Sequence, residues 1–140
     1  MVKNLKVYTN NSISKNKIHR LLYFLKKEFE FSIISLEISF VNSSQIIQLN
    51  KKHLNHNYST DVLTFNYSKS KLMLEGEILI STEDALKNAE RFKSLYKAEI
   101  YRLIIHGVLH LVGYNDEEIN ERKLMKTKEN LLLKQFMLHV

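Results

Sequence analysis

The segment His106–Asp116 carries the residues whose types and spacing best suit chemistry. His106 and His110 are four residues apart, so on a helix they project from one face and both imidazoles reach one metal ion. Gly113 favours a positive φ that ends the helix, and the chain can then turn back to deliver Asp116 as a third ligand. Two imidazole nitrogens and one carboxylate oxygen suit a tetrahedral Zn²⁺ with a fourth position open to water. The spacing therefore predicts a catalytic metal site.

Gly107 argues against the most familiar use of such a site. In the long zinc-protease motif a glutamate follows the first histidine and serves as the general base. This chain has glycine there, so it keeps the ligand spacing and lacks the base. A metal-free alternative makes His106 and His110 polar residues of a buried helix and Gly113 an ordinary cap. The apolar residues around the histidines favour the metal site, because buried imidazoles need partners.

Three blocks of the chain resemble one known family. His106–Asp116, which reads HGVLHLVGYND, is similar to the signature H-G-x-L-H-L-x-G-Y-D-H of the YbeY family of bacterial metal-dependent endoribonucleases. Thr60–Phe65 resembles the family's T-D-V-L-S-F, and Gly76–Ser81 resembles its G-D-I-x-I-S. Leu49-Asn50 fits the L-N that precedes the T-D-V block, so the resemblance runs from about residue 35 to about residue 125.

The resemblance implies a metal-dependent, single-strand-specific endoribonuclease that acts in ribosomal RNA maturation, at the 3′ end of 16S rRNA, and in ribosome quality control. It implies one Zn²⁺, or another divalent ion, held by His106, His110 and Asp116. The implied partners are single-stranded RNA, ribosomal RNA and the ribosome or its proteins. The implied fold is a small mixed sheet packed with helices, one of them a metal-binding helix like that of zinc proteases.

Two positions depart from the family pattern. The family's third metal-binding histidine falls on Asp116, which replaces a nitrogen ligand by an oxygen ligand that zinc also accepts. Leu54 stands where many members have an arginine thought to help catalysis. Either Lys51 or Lys52 replaces that arginine, or phosphate is handled differently in this chain. Asp61 is a further catalytic candidate, because a carboxylate there would orient a ligand or a loop near the metal. It would equally cap a turn before the strand, and the general base stays open.

Two other functions fit parts of the pattern. A small zinc metallopeptidase is favoured by the ligand spacing and disfavoured by Gly107. A non-catalytic ribosome-associated RNA-binding factor is favoured by Leu54 and Asp116. Among the other histidines, His53 and His56 are more typical of a solvated segment than of a second metal pair. His19 is predicted on a helix surface.

Composition sets the remaining limits. With 140 residues, the chain suits one domain, residues 1–140, with one hydrophobic core. It has no cysteine, which excludes disulfides and thiolate metal sites, and no apolar run of membrane-spanning length. We therefore expect a cytoplasmic protein without membrane contact. The net charge of +6 suits a polyanionic partner, but lysine richness alone is weak support for RNA.

The hydrophobic pattern predicts an α+β fold with a mixed four-stranded sheet and about five helices. The expected strands are Lys6–Thr9, Leu36–Val41, Val62–Tyr67 and Glu77–Ile80. The expected helices run from Ser14 to Phe29, from Ser43 or Ser44 to about Leu54, from Ser81 to Lys93, from Lys97 to Val112 and from Glu117 to Met137. A polar stretch at 68–71 suggests a hairpin-like connection between the last two strands.

Overall fold

A computed structural model describes residues 1–9, 12–54 and 60–139, without the side chains of residues 53 and 54. The described residues form four strands and five helices. In chain order they are β1 (Leu5–Tyr8), α1 (Lys15–Phe29), β2 (Ser32–Val41), α2 (Ser43–Leu54), β3 (Val62–Asn66), β4 (Met73–Ser81), α3 (Thr82–Phe92), α4 (Tyr96–Leu111) and α5 (Ile119–Met137).

The four strands make one mixed sheet in the order β1-β2-β4-β3. β2 pairs in parallel with β1 on one side and with β4 on the other, and β3 pairs antiparallel to β4. The parallel pairs need long crossovers, which α1 and the α2-β3 segment provide, whereas the polar stretch after β3 turns directly into β4. The α+β fold with a mixed four-stranded sheet and five helices is confirmed.

Local signals fix several helix ends. Ser14 caps α1 by accepting a hydrogen bond from the backbone N–H of Lys17 at 3.3 Å. Ser81 caps α3 in the same way, with the N–H of Asp84 at 3.2 Å. A serine hydroxyl at this position satisfies one of the backbone donors that the first turn of a helix leaves unpaired. The two serines therefore start helices where the sequence predicted them.

Two strands, β2 and β4, start earlier than predicted. In each of them, the additional residues depart from the alternation of apolar and polar side chains that is typical of a strand. β2 starts at Ser32 and not at Leu36, and a register shift between Ile33 and Ser35 breaks the alternation that pattern analysis relies on. β4 starts at Met73 and includes Gly76, which has no side chain to contribute to the alternating pattern. A Cβ at Gly76 would lie 2.4 Å from the backbone oxygen of Phe65 on β3, so glycine allows the two strands to approach.

α4 lies at the centre of the core. It packs against β3 and β4 and also against α1, α3 and α5. Its fully or nearly fully buried residues include Ile100, Leu103, Ile104, Ile105, Val108 and Leu109. A helix that is apolar nearly all round is held in place from several sides, so its few polar side chains have defined positions.

The prediction for His19 was wrong. Its residue surface is only 9% exposed, because the amino-terminal segment covers this part of α1. The backbone N–H of Val2 donates a hydrogen bond to His19 Nδ1 at 3.1 Å. Burial, followed by the positive charges of the terminal amine and Lys15, lowers the pKa of His19.

Among the described residues, no helix combines the length and the apolar character needed to cross a membrane.

Candidate metal centre

Gly107 lets α4 approach the sheet beneath the two histidines. An added Cβ at this position would lie 2.8–3.0 Å from three side-chain carbons of Ile78 on β4, closer than normal packing allows. The position where a zinc protease carries its base therefore faces the sheet in this fold. This contact leaves no room for a glutamate side chain at position 107, and His106 and His110 line an open cleft.

The end of α4 turns the chain back toward the histidines. The N–H of Gly113 donates to the carbonyl of His110 at 3.1 Å, and the N–H of Tyr114 donates to the carbonyl of Leu109 at 2.9 Å. This pair of bonds is the Schellman motif, which places a left-handed residue after the helix. Gly113 has φ +105°, as the sequence predicted, and the reversal brings Asp116 back to the helix end.

Three side-chain atoms converge at this turn. His106 Nε2 and His110 Nε2 are 3.1 Å apart, and Asp116 Oδ2 lies 3.6 Å from the first and 3.4 Å from the second. Ligand atoms bound at about 2.0–2.1 Å to a tetrahedral ion lie about 3.3–3.4 Å from one another. The three separations therefore match one face of such a tetrahedron, and the group could hold a metal ion.

Each imidazole uses its other nitrogen for a hydrogen bond. His110 Nδ1 lies 3.1 Å from the carbonyl oxygen of Tyr114, which can only accept, so Nδ1 carries the proton. His106 Nδ1 contacts a carboxylate oxygen of Glu129 on α5. A neutral imidazole with its proton on Nδ1 has a lone pair on Nε2, which is the atom that would bind a metal ion here.

The convergent atoms open onto a cleft of about 530 Å³. Its other described lining residues are Thr60, Asp61, Val62, Leu63, Thr64 and Asn66. These residues belong to β3 and the segment just before it, so the T-D-V-L block faces the histidine block across the cleft. The side-chain exposure of Asp116 is 42%, against 21% for His106 and 26% for His110. The group is therefore accessible from solvent on the aspartate side.

The other site candidates lie at different places. Asp61 lines the cleft, and its Oδ2 accepts a hydrogen bond from the side-chain amide of Asn88 at 3.0 Å. Lys51 and Lys52 are exposed on α2 and are not among the described residues that line the cleft. The side chains of His53 and Leu54, and all of His56, lie outside the described residues.

A buried charged cluster lies beside the site and was not predicted from the sequence. Arg102 on α4 donates through Nε to Glu99 Oε2 at 3.0 Å, through Nη2 to Glu99 Oε1, and through Nη1 to Glu129 Oε1 at 2.9 Å. Glu99 and Glu129 are each only 3% exposed. Burial by itself lowers the pKa of Arg102, but hydrogen bonds and charge from Glu99, and then from Glu129, raise it above its ordinary value.

Comparison with known proteins decides the family. The profile described as Endoribonuclease YbeY matches residues 2–137. The chain belongs to this family. Curated relatives with the same name include a Cytophaga hutchinsonii protein that is 36% identical over 84% of this chain and 82% of its own length. Another, from Karelsulcia muelleri, is 41% identical over 81% of this chain and 79% of its own length.

The fold agrees with a solved structure. The solution structure of TM1509 from Thermotoga maritima superposes with a TM-score of 0.66, covering 94% of this chain and 88% of the other, at 24% sequence identity. At this identity the likeness concerns the fold. In this member of the YbeY family, His106, His110 and Asp116 converge at the end of α4, with Asp116 at the position of the family's third histidine.

Proposed function

We propose that this chain is a metal-dependent endoribonuclease whose site is the group His106, His110 and Asp116. One observation carries the proposal: side-chain atoms of His106, His110 and Asp116, which occupy the three ligand positions of the family signature, lie 3.1–3.6 Å apart at an open cleft. A structural metal site closes all four positions of its ion, whereas three protein ligands leave one position for water or substrate. The geometry thus favours catalysis over a purely structural metal.

Zn²⁺ is the proposed ion. Two imidazoles and one carboxylate are donors that zinc prefers, while Mg²⁺ and Ca²⁺ prefer sites made entirely of oxygen ligands. When bound here, the ion would acidify water and stabilise negative charge on the scissile phosphate. The substitution of aspartate for the family's histidine keeps the number of ligands and changes the charge of the site.

The protein's own residues would bind and orient the RNA. The cleft offers the hydroxyls of Thr60 and Thr64 and the amide of Asn66 as hydrogen-bonding groups. Among the described lining residues, Asp61 is the one carboxylate besides Asp116, which makes it the candidate proton acceptor. Lys51 and Lys52 on the exposed side of α2 are candidates to hold the flanking phosphates.

The substrate we propose is single-stranded RNA, because unpaired strands expose their bases and backbone to such a cleft. Resemblance to the family extends the proposal to ribosomal RNA maturation, with the ribosome as partner and the cytoplasm as location. We also propose that residues 1–140 form one catalytic domain, since the buried apolar residues of the described chain form one core cluster.

The test compares RNA cleavage by three extensively purified proteins: the wild type, His110→Ala, and His139→Ala. His139 is exposed and is not among the described residues that line the cleft, so its variant is a matched control for loss of an imidazole. With zinc added, we expect the wild type and His139→Ala to cleave single-stranded RNA and His110→Ala to be inactive. Equal cleavage by all three would refute the proposal.

The same preparations test the peptidase alternative. A peptide library incubated with zinc-loaded wild-type protein should remain intact, because Gly107 leaves no base at the protease position. Cleavage of peptides together with intact RNA would assign the site to a peptidase.

A further inference from the structure

Glu129 has an unusual environment for a carboxylate. It lies on α5, within the buried stripe that also contains Met125, Leu132 and Phe136. Its Oε1 accepts a hydrogen bond from Arg102 at 2.9 Å, and its Oε2 contacts His106 Nδ1. Burying a carboxylate is costly unless partners compensate for the lost water. Both oxygens of Glu129 have such partners, and one of these partners, His106, is a candidate metal ligand.

Arg102 fixes the orientation of this carboxylate. Its guanidinium donates to both oxygens of Glu99 and through the remaining nitrogen to Glu129. The planar fork of arginine suits such fixed multiple contacts better than a lysine would. Two carboxylates share one guanidinium, and Glu129 is the one that also contacts His106.

The two imidazoles are therefore held by different means. His110 Nδ1 donates to a backbone carbonyl, that of Tyr114, which no substitution of a side chain removes. His106 Nδ1 depends on a side chain that lies 23 residues further along the chain. A neutral imidazole that donates a hydrogen bond from Nδ1–H has an unprotonated Nε2, which is then free to bind the metal.

We propose that Glu129, held by Arg102, is the positioning residue of His106: it fixes the Nδ1-protonated tautomer and aims Nε2 at His110 and Asp116. This inference rests on the proposed function, because it assigns a role within the same metal site. Carboxylates that hold a histidine ligand strengthen the ligand, and their removal lowers metal affinity about 10–100-fold.

The alternative is that Glu129 serves only as an ion-pair partner of Arg102. Glu99 allows the two roles to be separated, since it is equally buried and pairs with the same guanidinium. Glu99 contacts Arg102 and Asn88, and among the described residues its hydrogen bonds do not include His106. Glu129→Gln and Glu99→Gln each remove one buried charge from Arg102, and only the first removes the charge beside His106.

The experiment measures zinc affinity by chelator competition and the tautomer of His106 by ¹⁵N NMR of the zinc-free protein. We expect Glu129→Gln to lose about 10–100-fold in zinc affinity and to increase the Nε2-protonated form of His106. Glu99→Gln should stay close to wild type in both measurements while losing thermal stability. A purely structural role would change stability in both variants and leave the tautomer unchanged.

A second variant keeps the test decisive if Glu129→Gln does not fold. Glu129→Asp retains the negative charge near Arg102 and withdraws the carboxylate from His106 by one methylene, so it should fold and still bind zinc more weakly than Glu99→Gln. Equal zinc affinities and an unchanged tautomer in the Glu129 variants would overturn the inference. If the wild type itself bound no zinc at this site, the proposed function would fail, and the tautomer would still decide the role of Glu129.

Discussion

Gly107 offers the sharpest test of how the fold sets the site. In Gly107→Ala the new Cβ would lie 2.8, 2.9 and 3.0 Å from Cδ1, Cγ2 and Cγ1 of Ile78. Ile78 is fully buried on the central strand β4, so its side chain has little freedom to withdraw. The substitution therefore forces α4 and the sheet apart, or strains Ile78.

The expected magnitude combines two opposing effects. Overpacking of this kind costs about 1–3 kcal/mol. Alanine in place of glycine within a helix gains about 1 kcal/mol. In the wild-type background the net effect should be destabilising, by up to about 2 kcal/mol. In an Ile78→Ala background all three close atoms are gone, so the same substitution should stabilise the protein by about 1 kcal/mol.

Urea unfolding followed by circular dichroism gives these four free energies as a double-mutant cycle. The prediction is a change of sign between backgrounds and a coupling of about 1–3 kcal/mol. Ile78→Val, which removes only Cδ1, provides a milder background with an intermediate coupling. If Gly107→Ala stabilised the protein equally in all backgrounds, the close approach of α4 to β4 would not explain the glycine.

Three further predictions concern the site and one buried histidine. Asp116→His should tighten zinc binding and move the rise of the pH-activity profile to lower pH, because a neutral imidazole leaves more positive charge on the ion. If Asp116→Ala left the zinc affinity unchanged, Asp116 would be excluded as a ligand. Gly113→Ala forces an alanine to φ +105°, which should lower the free energy of unfolding by about 1–3 kcal/mol, as measured by calorimetry. The same substitution should displace Asp116 and weaken zinc binding, as measured by chelator competition. Folding lowers the pKa of His19, so the unfolded chain binds more protons than the folded chain below about pH 6.5. The contribution of His19 to the free energy of unfolding is therefore complete above that pH and is lost as the pH falls toward the folded pKa. Urea midpoints from pH 7.5 to 5.5 should therefore fall less for His19→Gln than for the wild type, and equal slopes would contradict this assignment.

The convergence of His106, His110 and Asp116 could be predicted because their placement is local. One helical turn separates His106 from His110, and a single glycine with positive φ reverses the chain toward Asp116. These relations depend on helix geometry and on the conformational freedom of glycine, both of which can be inferred from neighbouring residues. The position of Asp61 beside this group depends on how β3 pairs in the sheet, which neighbouring residues in the sequence do not determine. Its block, Thr60–Phe65, was recognised only through the resemblance to the family.

The charged cluster could not be predicted in the same way, because Glu129 reaches His106 from another helix. A partial signal was present. Glu99, Arg102 and His106 follow one another at spacings of three and four residues, so they lie along one face of α4. Polar residues on one face of an otherwise apolar helix indicate a buried network, but the sequence does not identify its partner on α5.

The proposed metal centre is tested most directly by diffraction data collected from zinc-loaded crystals on both sides of the zinc absorption edge. We expect one strong anomalous peak per chain, about 2.0–2.2 Å from His106 Nε2, His110 Nε2 and Asp116 Oδ2. An ion bound instead through the neighbouring Glu117 or Glu118, or no peak at the end of α4, would contradict the proposed metal centre.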